Sequence, residues 1–334
     1  MQTILRRMDS EIANKVLQAR GRIQGYVRKT PLERSPFLTN LISNGPQVYL
    51  KLESEQLTGS FKVRGAFNKL CLLQEQCEVR EKGALSASTG NHALACTVAM
   101  KTLGIPVQIY TPETMTSAKK ETLEAYDADL VFHGKDCVEA ETKARQAAKE
   151  LGVPFISPYN DIDVAAGQGT IGVEIYEDLK EVDAVLVAVG GGGLIGGIAA
   201  YLKHINPRIQ IFGCQPELSK VMYESVKSGR VIFEESGDTL SDGTAGGIEE
   251  NTVTFDICKE HVDQWILVNE ESIARAIYFV IQKHHKVIEG AAGVAVAAYL
   301  NNLHMFSMFK NVVIVICGAN ISIDKLTDIL IKYK

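Results

Sequence analysis

The chain has 334 residues, 46% of them hydrophobic and 22% charged, and a formal net charge of −5. That length exceeds what one compact layer needs and predicts two lobes, in a composition ordinary for a globular protein. The acidic balance excludes the electrostatic footprint of a nucleic-acid or anionic-membrane partner, and the most apolar run, VDAVLVAVGGGGLIGGIAAYL, is broken by four glycines, which excludes a membrane span.

The opening MQTILRRMDSEIANKVLQAR has two arginines but soon carries Asp9 and Glu11, and it lacks a long apolar core. It predicts an amphipathic helix, not a signal or transit peptide. QVYLKLE predicts a strand, and GALSAS a strand ending in small residues. NHALACTVAMKTLG has helical apolar spacing and stops at Gly104. VQIYTP predicts a strand closed by proline, and SAKKETLEAYDA a helix capped by Ser117. DLVFHG predicts a strand, DCVEAETKARQAAKELG a helix from Asp136 to Gly152, and PFISPY a further strand. VAAGQGTIGVEIYEDL predicts a helix, and AVLVAVGGGG a strand from Ala184 to Val189 that runs into a loop. QIFGCQPE and NVVIVICGAN predict buried strands. This regular alternation predicts an α/β fold with parallel sheets and helices on both faces. The glycine-rich polar stretch SGRVIFEESGDTLSDGTAGGIEENT predicts a loop near the active site or between lobes. No linker splits the chain, so a second domain is expected to be inserted rather than appended.

The seven cysteines, at 71, 77, 96, 137, 214, 258 and 317, form no C-x-x-C pair, and their odd number argues against a full disulfide framework. They predict a reducing, cytoplasmic setting. Zinc-ligand spacing is absent, and the pair His284–His285, without an acidic partner at helical spacing, reads as a surface feature.

Two stretches carry chemistry. Gly190, Gly191, Gly192 and Gly193 follow a strand and open a helix, where backbone N–H groups and the positive end of the helix dipole cradle a phosphate. Gly191, Gly193 and Gly196 also spell G-x-G-x-x-G. A nicotinamide-nucleotide site is therefore a rival, with Glu217 as the acidic residue such a site wants about 20 residues on. Close helix–strand packing is a third account of the same glycines. In TGSFKVRGAFNK, Lys62 sits between Phe61 and Val63. A snorkelling side chain is its bland reading. A buried lysine instead has a depressed pKa, and its neutral amine can form a Schiff base with an aldehyde. A phosphate cradle together with such a lysine points to pyridoxal phosphate, whose two handles are a phosphate and an aldehyde. A nicotinamide enzyme needs no such lysine.

ESEQLTGSFKVRGA, SASTGNHALA, GGGGLIGG, VIEGAAGVAVAA and VICGAN stand in the order and spacing of the fold type II pyridoxal-phosphate enzymes. Over residues 30–320 the chain resembles their threonine/serine dehydratase and serine racemase group. The resemblance implies a two-lobed α/β protein like the tryptophan synthase β chain. A large cofactor-binding domain, 1–82 plus 160–334, would carry a small mobile domain, 83–159, that closes over the substrate, and the assembly would be a homodimer. It implies that Lys62 anchors the cofactor and then acts as the base on Cα. Phe61 lies against the cofactor ring, Asn91 bonds its 3-hydroxyl, and Gly190 to Gly193 with Leu194 bind its phosphate. Cys317 takes the place of the serine that usually faces the pyridine nitrogen. Ser88, Thr89, Asn91 and His92, at a helix start, hold the substrate carboxylate, and Glu289 lies near the cofactor's far edge.

The implied activity is β-elimination from L-threonine or L-serine, giving a 2-keto acid and ammonia. A neutral Cys317, unlike an aspartate, does not hold a pyridinium, so the ring is a poorer electron sink and loss of the β-hydroxyl is the natural exit. Serine racemase is an alternative, because racemases of this group have a serine at the position of Thr89. Threonine keeps the hydroxyl, while its methyl restricts the rotamer. A 3-hydroxyaspartate dehydratase is another alternative. It would need a cationic side chain near the β-substituent, and Arg64 is expected to face away from the substrate. Metal-dependent relatives carry carboxylates where Gln215 and Val221 stand here, so a divalent cation is not expected, with Glu217 the remaining candidate ligand. The chain ends 14 residues after Asn320, and the regulatory domain of the biosynthetic threonine dehydratases is not expected.

Overall fold

The structure is a computed structural model describing residues 2–76 and 83–334, with side chains from residue 11 onward; Cys77 lies outside the described residues. The strands are β1 (Leu32–Arg34), β2 (Gln47–Leu52), β3 (Ala84–Ala87), β4 (Val107–Thr111), β5 (Asp129–Phe132), β6 (Phe155–Ile156), β7 (Ala184–Ala188), β8 (Gln210–Pro216), β9 (Gln264–Val268) and β10 (Asn311–Ile316). They form a six-stranded sheet in the order β1-β2-β10-β7-β8-β9 and a four-stranded sheet in the order β5-β4-β3-β6. Every pairing is parallel except β1 on β2, an antiparallel edge that strand–helix alternation does not announce.

The central strands β7 (AVLVA) and β10 (NVVIVI) are buried at every position. Parallel strands covered by helices on both faces have no wet side, so their sequences are nearly unbroken apolar runs rather than alternations. The helices Gly193–Ile205 and Gly290–Asn301 pack into this larger core. A second core forms around the smaller sheet. There Val63, Phe67 and Leu70 of the helix Lys62–Glu75 pack with Ala95 of the helix Asn91–Leu103 and with Val107 and Ile109 of β4. The residues just before Lys62 stay tied to the other sheet. Phe61 N donates to Cys317 O at 3.1 Å, and Ala319 N to Gly59 O at 2.8 Å. One helix thus spans both halves of the molecule.

Several boundaries differ from expectation for local reasons. Thr116, not Ser117, occupies the cap position of the helix Ser117–Ala125. The strand expected from PFISPY is only Phe155–Ile156. Pro158 has no N–H for a ladder, and Ser157 Oγ accepts from Asn160 N at 3.0 Å, which turns the chain instead. The following helix begins at Ile162, earlier than the apolar spacing suggests, because the Asp161 carboxylate accepts from the N–H groups of Asp163 and Val164. His284, of the lone pair, is half-buried with Nε2 3.1 Å from Ser35 Oγ, while His285 is the exposed left-handed cap of its helix.

The helices Ile162–Asp178 and Gly193–Ile205 meet backbone to backbone, and part of the glycine run serves that contact. A Cβ on Gly197 would lie 2.0 Å from Ala165 O, and one on Gly169 2.7 Å from Gly197 O. Gly197→Ala is therefore expected to destabilise the fold by about 1–3 kcal/mol, the usual range for overpacking, measured as a lower urea midpoint at unchanged slope. An unchanged midpoint would show that the two helices have room to part.

Candidate active site

A cavity of about 750 Å³ opens where the carboxyl ends of β3, β7 and β10 converge. In open α/β sheets the chain turns away at these ends and leaves a crevice. Lys62, the first residue of its helix, enters from one wall. Its Nζ donates to Pro158 O at 2.9 Å and stands 5.2 Å from the centroid of the Phe61 ring. Burial lowers its pKa from 10.5 to about 8, against the opposing pull of the Glu289 carboxylate.

The glycine loop lines the same cavity. Gly192 has φ +84°, which favours glycine; a Cβ on Gly191 would lie 2.3 Å from the Tyr159 ring, and one on Gly190 3.0 Å from Thr244 Cα. No side chain caps the helix that starts at Gly193. Its first N–H groups lack intrahelical acceptors and suit an anion. Leu194 lines the cavity beside them.

A polar chain crosses the floor. Asn320 Nδ2 donates to Asn91 Oδ1 at 2.7 Å and to Thr58 O at 2.9 Å; Asn91 Nδ2 donates to Glu289 Oε2 at 2.9 Å. The Cys317 thiol lies 3.8 Å from Glu289 Oε1. Burial raises Glu289 from 4.5 to about 7, with the Asn91 hydrogen bond opposing. Burial and the Glu289 carboxyl push the Cys317 thiol well up, so it stays a neutral partner.

Ser88, Thr89 and Asn91 line the cavity at the start of the helix Asn91–Leu103, and Ser88 Oγ accepts from Gly90 N at 3.2 Å. His92 also lines it but is only 2% exposed. Its Nε2 donates to Ile156 O at 3.1 Å, and burial together with the nearby Lys62 charge lowers its pKa to about 3. It is a neutral ring braced against β6. Arg64 is fully buried and bonded to Glu53 and Glu174.

Glu217 is not brought into this constellation. It is exposed at the end of β8 and does not line the cavity. The buried Gln215 gives its amide to other work: Nε2 donates to Val189 O at 3.0 Å, and Oε1 accepts from Tyr223 N at 2.8 Å, steadying the approach to the glycine loop. Among the described residues no group of three His, Cys, Asp or Glu side chains is placed to hold a metal ion.

Three further residues shape the site without having been singled out in the sequence. Tyr159 lies over the glycine loop, its hydroxyl accepting from Glu249 N at 2.9 Å. Asp242 sits at the mouth, 3.6 Å from Lys119 Nζ and 3.8 Å from Lys325 Nζ. Asn320 closes the floor. The polar loop composition and the final asparagine of VICGAN were the available signals for the last two; nothing local marks Tyr159.

A family model described as pyridoxal-phosphate dependent enzyme matches residues 23–318. The chain belongs to that family. It is 39% identical over 317 residues to the L-threonine ammonia-lyase of Thermotoga maritima, covering 95% of this chain and 77% of that one. Threonine deaminase isoform 2 from Solanum lycopersicum, in its processed form, superposes with a TM-score of 0.89 at 32% identity, over 96% of this chain and 92% of that one. Maize serine racemase superposes with a TM-score of 0.87 at 28% identity, over 96% and 97%. The lysine amine and the uncapped glycine-rich helix start, both lining one cavity, fit the aldehyde and phosphate of that family's cofactor. The family overturns the nicotinamide alternative, whose acidic residue, Glu217, lies outside the cavity. Among the described residues no helix is long and apolar enough to cross a membrane.

Glu289 makes the cofactor-free protein pH-sensitive. Between its ordinary 4.5 and about 7, the folded state keeps a proton there that the unfolded chain has released, so stability falls as pH rises through that window. Glu289→Gln should flatten the fall, measured by urea denaturation across the window. Wild-type and variant curves of equal slope would contradict this assignment of the proton.

Proposed function

We propose that the protein is a pyridoxal-phosphate dependent ammonia-lyase acting on L-threonine and L-serine. The observation that carries this is the half-buried Lys62, its amine pKa lowered to about 8, lining one cavity with an uncapped glycine-rich helix start, in a chain 39% identical to an L-threonine ammonia-lyase. When bound, the cofactor supplies an electron sink for the substrate's Cα. Lys62 anchors it and then takes the Cα proton; a pKa of about 8 leaves a useful fraction of neutral amine near neutral pH. Gly190 to Gly193 and Leu194 hold the phosphate, Phe61 packs on the ring, and Asn91 bonds the 3-hydroxyl. The neutral Cys317 faces the ring nitrogen, with Glu289 beside it. The N–H groups around Ser88, Thr89, Asn91 and His92 hold the substrate carboxylate. The Cα proton and β-hydroxyl leave as water, and hydrolysis then returns the 2-keto acid and ammonia.

Residues 83–159 form the small domain in this reading and close over the substrate, excluding water, against a large domain of 1–82 plus 160–334. The protein acts as a homodimer in the cytoplasm, a setting that suits the free thiols of Cys71, Cys96, Cys137, Cys214, Cys258 and Cys317. Two observations support second readings. The Thr89 hydroxyl at the cavity wall would serve a serine racemase, and Lys119 and Lys325 at the mouth would suit the second carboxylate of 3-hydroxyaspartate.

The test supplies L-serine, L-threonine, D-serine and threo-3-hydroxyaspartate separately to the purified protein with pyridoxal phosphate. Keto-acid release and the chirality of the remaining amino acid are followed. Keto acid from L-threonine and L-serine, with the remainder unracemised, is expected. D-serine accumulating from L-serine faster than pyruvate would make racemisation the main role, and no product from any of them would overturn the assignment. Lys62→Ala should leave the far-UV circular dichroism unchanged and lower turnover by at least about a hundredfold, the scale of a lost general base.

A further inference from the structure

Two residues past Lys62, the Arg64 side chain turns into the interior, and its fork meets carboxylates from two separate elements. Nε and Nη2 donate to Glu53 Oε2 and Oε1, both at 2.8 Å, in the short turn after β2. Nη1 and Nη2 donate to Glu174 Oε1 and Oε2 at 2.7 and 3.0 Å, on the helix Ile162–Asp178. Nη1 also donates to Thr170 Oγ1 at 3.1 Å. Lys51 of β2 completes the group, its Nζ donating to Glu174 Oε2 at 2.6 Å and Thr30 O at 2.7 Å. All four charged side chains are 0% exposed, and two cations balance two anions.

Burial works against each of these charges. For Arg64 the carboxylates of Glu53 and Glu174 more than offset it, and for Glu174 the cations Arg64 and Lys51 do; for Lys51 burial prevails and its pKa falls. Taking ions out of water costs several kcal/mol each, and well-packed apolar replacements for buried ion pairs are often as stable or more so. Stability alone therefore gives little reason for such a cluster under the first turn of a helix. What a doubly bidentate guanidinium supplies, and an apolar side chain does not, is direction.

The flanking contacts tighten the same turn. Gly65 N donates to Gln168 Oε1 at 3.1 Å, and a Cβ on Gly65 would lie 2.3 Å from Gln168 Nε2. Phe61 N is held by Cys317 O at 3.1 Å. Lys62 stands between these two fixed points, while the rest of its helix packs into the core of the smaller sheet. A shift of that sheet would carry the helix with it unless its first turn were held from the other side.

We propose that Arg64, with Glu53, Glu174 and Lys51, is a positioning device for the reaction: the cluster fixes the first turn of the helix and so the direction of the Lys62 amine. The proposal rests on Lys62 being the proton-transferring amine, and Lys62→Ala tests that separately. The variants are Arg64→Lys, which keeps the charge but loses the fork, and Thr170→Val, which removes one acceptor of the guanidinium. Both are compared with wild type as holoenzymes. The readouts are thermal midpoint, kcat and KM per cofactor-loaded site, and the pH midpoint of the bound cofactor's visible absorbance.

Arg64→Lys is expected to lower kcat per loaded site by about tenfold or more with KM changed by less than about threefold, the mark of a misplaced group rather than a lost contact. Its absorbance midpoint should move. Thr170→Val should shift both in the same direction by a smaller amount, and it decides the matter alone if Arg64→Lys does not fold. Variants that lose only thermal stability, with kcat per loaded site and the absorbance midpoint as in wild type, would make the cluster structural and overturn the proposal. Should Lys62→Ala retain turnover, it is the role of Lys62 that fails.

Discussion

An ammonium group taken out of water is the constraint around which this molecule is arranged. Lys62 reaches the cavity from the first residue of a helix, and burial pulls its pKa down. The Glu289 carboxylate pulls the other way, and the outcome is an amine near 8, within reach of neutral pH in both forms. Glu289 is itself buried and raised to about 7, so neither group carries a fixed charge across the physiological range. Asn91 bonds Glu289, and Asn320 holds Asn91 in turn. The polar chain beside this amine is drawn from the ends of β3 and β10 and from the cap of the helix Gly290–Asn301.

The architecture supplies those strand ends. Parallel strands leave their carboxyl ends on one side, and here two sheets present β3, β7 and β10 to a common cavity. The helix carrying Lys62 belongs to both halves: its start is bonded to the end of β10, and its apolar face fills the smaller core. Glycines permit the close approaches that follow. Gly197 lets two helices touch, Gly191 leaves space for the Tyr159 ring, and Gly192 takes a turn that side chains resist. The run of glycines therefore serves packing, and it also leaves an uncapped helix start at the cavity wall.

Much of this was legible in the sequence where the cause is local. The apolar runs of β7 and β10, the left-handed caps Gly104 and Gly152, and the glycine-rich helix start at Gly193 all declare themselves within a few residues. The lysine between Phe61 and Val63 was visible as an anomaly, and the resemblance of the surrounding motif turned it into a proposed cofactor anchor. Tyr159 was hidden because its meaning comes from Gly191 and Glu249, distant in the chain. Glu217 was a candidate on spacing alone, yet β8 ends at Pro216 and leaves Glu217 in solvent, while Gln215 faces inward. Arg64 read as a charge facing away, which is correct, but its four-residue partnership joins positions 51, 53, 64 and 174, and no local pattern links them.

Covalent trapping is the direct test of Lys62 as the cofactor's anchor. The holoenzyme is reduced with borohydride, digested and mapped by peptide mass spectrometry. The pyridoxyl group is expected on the peptide containing Lys62 and on no other lysine peptide in comparable yield. A label on a different lysine, or no label on a protein that retains bound cofactor, would contradict that role.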